Sequence, residues 1–277
     1  MTAHPLIAPG RAWISAFVYL VRIAWRMRLA YRGKVLLEMI QPILTLYAFV
    51  YVWRAVKAAG AAPDVNLESL VTYSLVTAVL GLCISSDVIS RLIERDIASG
   101  DIGQRLIRPL SFAASSVATS LGTSLASFVL RAVPLLAVTP VFIDRVALPR
   151  DPKVWGMFAL LLVVAIIVAL LLDLIVGYLC FWVFQGRHVR YFFEAIFTVF
   201  SGQFVPLVLL PDWMRTVSLF TPTRLVFNDP VAVLTGLISP QDYLGLLVRA
   251  GVWLVSLVML TMTLHRAAVR RVFMQGG

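Results

Sequence analysis

The chain has 277 residues, 60% hydrophobic and only 14% charged. Soluble domains carry about 25% charged residues, so the composition excludes a soluble enzyme, a disordered chain and a nucleic-acid-binding module. It specifies a polytopic membrane protein, whose formal net charge of +10 reads as a basic cytoplasmic edge.

A spanning helix takes about 20 residues. The length therefore predicts an all-α chain with one transmembrane domain over 1–277. The first strongly apolar stretch begins near residue 35, too late for a typical cleaved signal peptide. Before it, residues 11–32 are periodic. At 100° per residue Trp13, Phe17, Leu20, Ala24 and Met27 share one side, with Arg11, Arg22 and Arg26 opposite. This predicts an amphipathic helix lying in the membrane interface.

Six spans are expected, at about 35–53, 67–90, 112–139, 155–184, 192–210 and 243–264. The first half of span three is rich in small residues, including Ser116, Ser120, Gly122 and Thr123, and predicts a close helix-packing seam. Span five is interrupted by Gly202 and Pro206. Proline leaves the carbonyl of Gly202 without a helical partner, so a break is expected near residues 204–207, with compensation from water or neighbouring protein. Residues 211–242 hold Pro211, Pro222, Pro230 and Pro240 between short apolar stretches, which predicts interfacial or re-entrant outer segments.

With the N-terminus inside, the inner segments carry the larger share of Arg and Lys, so both termini are expected in the cytoplasm. The inner connection between spans two and three, R-L-I-E-R-D-I-A-S-G-D-I-G-Q-R-L-I-R-P-L, is densely charged. Asp101 can cap a short helix over 102–107, which Pro109 stops and Gly100 separates from the preceding turn.

No metal-ligand spacing, nucleophile elbow or phosphate-binding glycine loop is present in the sequence. Among acids in or beside the spans, Glu38 (next to Gln41 and Pro42), Asp87 and Glu194 sit near inner helix ends, where ion pairs would fix them. Asp173, deeper in span four, is either a pathway group or a structural one. Arg131 can snorkel outward from span three. A secondary transporter would need a relay of intramembrane acids and bases. A lipid-modifying membrane enzyme would need polar groups converging at one interface. Only scattered ones are visible.

The interfacial helix before six spans, the E-R-D-I-x-x-G loop ending in L-I-R-P, and G-x-x-x-P-L-x-x-L-P after span five together resemble the integral-membrane permease subunit of bacterial ABC exporters of the type-2 class, the ABC-2 family transporter proteins. The resemblance implies an inner-membrane subunit that exports substrate as a homodimer or with a related permease. Separate ATPase subunits, which bind ATP and Mg, would dock beneath it; the chain itself would carry no cofactor. It implies ATPase coupling through Glu94, Arg95, Gly100, Asp101, Arg105, Leu106, Arg108 and Pro109. It implies an outer gate at Gly202, Pro206, Leu207 and Pro211.

Overall fold

The computed structural model describes residues 9–30, 33, 37–60, 65–84, 87–100, 112–141, 143, 146, 148–183 and 186–275. Among them the chain is all-helical. Four stretches are long and apolar enough to cross a membrane: Leu67–Ser99, Ala113–Val141, Pro152–Leu179 and Pro240–Arg271.

The first helix, α1 (Pro9–Ala30), lies within two residues of the sequence expectation. It packs along α5 (Phe112–Ser127), the small-residue seam. Gly122 is essential there, because a Cβ at that position would lie 2.5 Å from the Val21 carbonyl oxygen and 2.8 Å from the Ala24 Cβ. Ala24 is buried in this contact, and Arg22 and Arg26 are exposed. Met27, on the apolar side, is 61% exposed. The docked side is chosen by the smallest side chains, which let the backbones approach, rather than by the most apolar arc.

Helix α2 (Ile40–Ala58) pairs with α3 (Leu67–Cys83). Leu46, Val50 and Trp53 interlock with Leu70, Val71 and Leu75, and the Trp53 indole N–H donates to Ser74 Oγ at 2.7 Å. The expected second span, 67–90, is not one helix. α3 stops at Cys83 and α4 (Val88–Ser99) begins anew. Ile84 is extended, and Asp87, at φ −142°, is not helical.

α5 runs into a π-helical segment, Phe128–Ala132, and then α6 (Val133–Val138). The widened turn falls at Arg131, whose guanidinium donates to Glu38 Oε2. Arg131 therefore does not snorkel outward; an acid 93 residues away supplies the counter-charge inside the bundle.

Helix α7 (Pro152–Leu179) is the centre of the molecule. Asp151 caps its start, accepting from the Lys153 N–H at 2.9 Å, and a proline occupies its first turn. The helix ends at Leu179, short of the expected 184, in a turn over residues 180–182. α4, α10 (Asn228–Leu234) and α11 (Tyr243–Gln275) all pack against it.

Helix α8 (Gly186–Phe200) replaces the expected span 192–210. Its 15 residues extend about 22 Å, short of the roughly 30 Å hydrocarbon core. The chain then unwinds, passes a 3₁₀ turn at Leu207–Leu209 and the exposed α9 (Asp212–Leu219), and re-enters the core as Thr223–Leu225 and α10. α11 continues 11 residues beyond the expected end at 264.

Candidate functional site

Two regions gather the polar groups. At one end of α7, the backbone N–H groups of Ile89 and Ser90 open α4 and have no carbonyl partner within that helix. The Asp173 carboxylate, 2% exposed, meets both, accepting from Ile89 at 2.7 Å and from Ser90 at 3.0 Å. Asp173 is thus a helix cap delivered from another helix. One turn further along α7, Gly177 opens a notch for Ile93: a Cβ there would lie 2.3 Å from Ile93 Cδ1 and 3.3 Å from the Ser90 Cα. At the far end Gly100 closes α4 in the left-handed conformation, at φ +75°. This glycine ends a 12-residue helix, longer than the preceding turn the sequence suggested.

Arg190 of α8 donates to Glu94 Oε2, tying α4 to α8 as well as to α7. Arg95 is exposed. Asp101, Arg105, Leu106, Arg108 and Pro109, with the short helix expected over 102–107, lie outside the described residues. Of the acids expected to pair near helix ends, Asp87 bonds Arg91 Nε at 2.8 Å and Glu38 bonds Arg131. Glu194 lines a cavity beside Asp87, Asp173 and Arg190.

In the second region, helix α8 breaks at Ser201 and Gly202, ahead of the expected 204–207. The cause is Gly202 at φ +77° rather than the ring of Pro206. A Cβ on Gly202 would lie 2.7 Å from both Asn228 Cβ and the Tyr73 hydroxyl, so only glycine both turns and fits here. The carbonyl expected to need compensation finds it in the protein: the Tyr73 hydroxyl donates to Gly202 O at 2.6 Å. Asn228 fastens the rest of the break. Its backbone N–H donates to Ser201 O at 2.9 Å, and its Oδ1 accepts from the Leu207 N–H at 3.1 Å. Pro206 and Leu207 are buried; Pro211 is exposed and precedes α9.

Beneath this break lies Asp229, fully buried between two arginines. It accepts from Arg224 Nε at 2.9 Å, from Arg249 Nη2 of α11 at 3.1 Å, and from Asn228 Nδ2 at 3.0 Å. A buried carboxylate needs such pairing to remain ionised. Tyr73, Arg224, Asn228, Asp229 and Arg249 were not singled out from the sequence. The available signal for three of them was Arg224, Asn228 and Asp229 flanking the apolar Leu225–Phe227. Among the described residues no three His, Cys, Asp or Glu side chains cluster as metal ligands.

The described constellation holds helix ends and a backbone break; it offers positioning rather than bond chemistry. No curated protein matches the chain in sequence. The family model of the ABC-2 family transporter proteins matches residues 39–276; on that match, and on the apolar helices just described, the chain belongs to the ABC-2 family as a membrane permease of an ABC transporter.

Proposed function

We propose that the chain couples ATP hydrolysis by separate ATPase subunits to export of a substrate across a bacterial inner membrane. In this reading both termini are cytoplasmic. α2 and the α8 half-span complete six passages with the four long apolar stretches, and residues 203–238 form re-entrant outer segments. ATP and Mg are held by the partner ATPases, and a second permease, identical or related, completes the path. α1 lies at the inner interface on its seam with α5, with Arg22 and Arg26 toward anionic headgroups, worth about 1 kcal/mol per charge.

The observation that carries the coupling reading is the attachment of α4. It leads directly into the charged segment 101–110. It is capped by Asp173 of α7 and tied by Glu94 to Arg190 of α8. A push delivered at its free end is thereby carried to α7 and to the helix that ends at the Gly202 break. A soluble motor can act on a membrane path only through such a stiff connection.

The test is co-expression of the tagged permease with its candidate ATPase, followed by purification and hydrolysis assays in liposomes. Arg105→Glu with Arg108→Glu is expected to leave insertion intact and to reduce substrate-stimulated hydrolysis. Unchanged coupling in that double variant counts against the assignment.

A further inference from the structure

A cavity of about 150 Å³ lies among α2, α3 and the unwound segment after α8. Among the described residues its wall is uncharged: no Asp, Glu, Lys or Arg of theirs lines it. Five polar side chains do, and they divide into two groups. Ser74 and Thr77 are already committed, Ser74 Oγ accepting from Trp53 and donating to Leu70 O, Thr77 Oγ1 donating to Tyr73 O. Gln41, Thr45 and Gln203 make no side-chain hydrogen bond among the described residues. All three line the cavity and none of them is buried. The Gln203 amide lies over the bare backbone of Gly81, where a Cβ would meet its nitrogen at 2.8 Å. Beside these groups the rings of Phe49 and Phe204 stack, centroids 6.1 Å apart at 29°.

Two amides and a hydroxyl in a helical membrane protein lose hydrogen-bond free energy unless something supplies partners. The absence of any ionisable group sets the character of that partner. A charged guest would give up hydration with no counter-charge in return. The stacked phenyl rings add an apolar surface that suits a ring face or an alkyl stem. We propose that this cavity binds an uncharged amphiphile, one bearing hydroxyl or amide groups next to an apolar portion, with Gln41, Thr45 and Gln203 as its hydrogen-bonding residues. This deepens the permease reading and rests on it for one point only, that the occupied cavity belongs to the transport path. Placement at the Gly202 break gives the guest contact with the segment that must move if the outer end opens.

The test uses the full chain with its ATPase in liposomes, with Cys83→Ala and Cys180→Ala and a single Thr45→Cys. Modification by N-ethylmaleimide is timed with octyl glucoside, octyl sulfate or octyltrimethylammonium present at matched sub-solubilising membrane concentrations. Octyl glucoside is expected to slow modification severalfold and the two charged probes to leave it unchanged. Equal protection by all three, which is mere partitioning, or protection by none, which is a water-filled cavity, overturns the proposal. If the Thr45→Cys protein does not insert, Gln203→Glu in the otherwise unaltered chain replaces it, read by thermal unfolding with the same probes. The stabilising probe is expected to change from octyl glucoside to octyltrimethylammonium; an unaltered preference overturns the proposal. ATP hydrolysis is recorded in parallel. Selective protection without any change in hydrolysis upholds the binding site and defeats its place on a transport path.

Discussion

Asp173→Ala is the substitution with the most directly calculable effect. It removes both acceptors from the buried N–H groups of Ile89 and Ser90, at 2.7 and 3.0 Å. Each donor left unsatisfied costs about 1–3 kcal/mol, giving about 2–6 kcal/mol gross. Relief from holding a carboxylate at 2% exposure offsets part of this, since a buried ion pays several kcal/mol of desolvation. The net expectation is about 2 kcal/mol, the upper end of what a lost helix cap costs. Asp173→Asn keeps one acceptor oxygen and should cost about 1 kcal/mol. Because 1.4 kcal/mol is a tenfold change in an equilibrium, the alanine variant should exchange the first-turn amides of α4 about thirtyfold faster. Hydrogen–deuterium exchange with peptide-level mass spectrometry on the membrane-embedded chain measures this directly, with asparagine falling between alanine and aspartate. Exchange over residues 88–99 that is the same in all three proteins would refute the capping argument.

Two further substitutions test the other contacts. Gly202→Ala forces a Cβ to 2.7 Å from Asn228 and Tyr73 at a φ of +77°; the left-handed backbone alone costs about 1–2 kcal/mol, so a clear fall in thermal unfolding midpoint is expected, and an unchanged midpoint contradicts the description of the break. Gly122→Leu drives a side chain into the Val21 carbonyl and should lift α1 off α5, read as faster tryptic cleavage at Arg22 and Arg26; wild-type cleavage rates would show that the seam does not hold α1.

The features legible in the sequence are those set by one segment alone. The amphipathic period gave α1 nearly its full extent; hydropathy predicted six spans, and four stretches among the described residues are long and apolar enough to cross a membrane. Steric rules placed a break at 204–207, a few residues beyond its actual position after Phe200, and identified the Gly202 carbonyl as a group in need of a partner. They could not say that the partner was Tyr73, 129 residues earlier, because that depends on how α3 and α8 pack. The same limit hid the reach of Asp173 across 84 residues to Ile89 and that of Arg131 to Glu38. The second span is interrupted at Ile84 and Asp87; the sequence there, I-S-S-D, is a polar step inside an apolar run that hydropathy averages away.

The final helix has a geometric consequence. α11 is an unbroken run of 33 residues. Near its start Arg249 holds Asp229 beneath the Gly202 break. Sixteen residues on, about 24 Å along the axis, His265 Nδ1 stands 3.0 Å from the Tyr178 hydroxyl, and Ala268 packs with Ile89 and Ile93 of α4. One stiff rod therefore touches both the buried Asp229 and the capped helix α4. It cannot shorten, so a tilt about its middle displaces its two ends in opposite directions. The register of Arg249 on Asp229 and that of His265 on Tyr178 are two readings of a single lever angle.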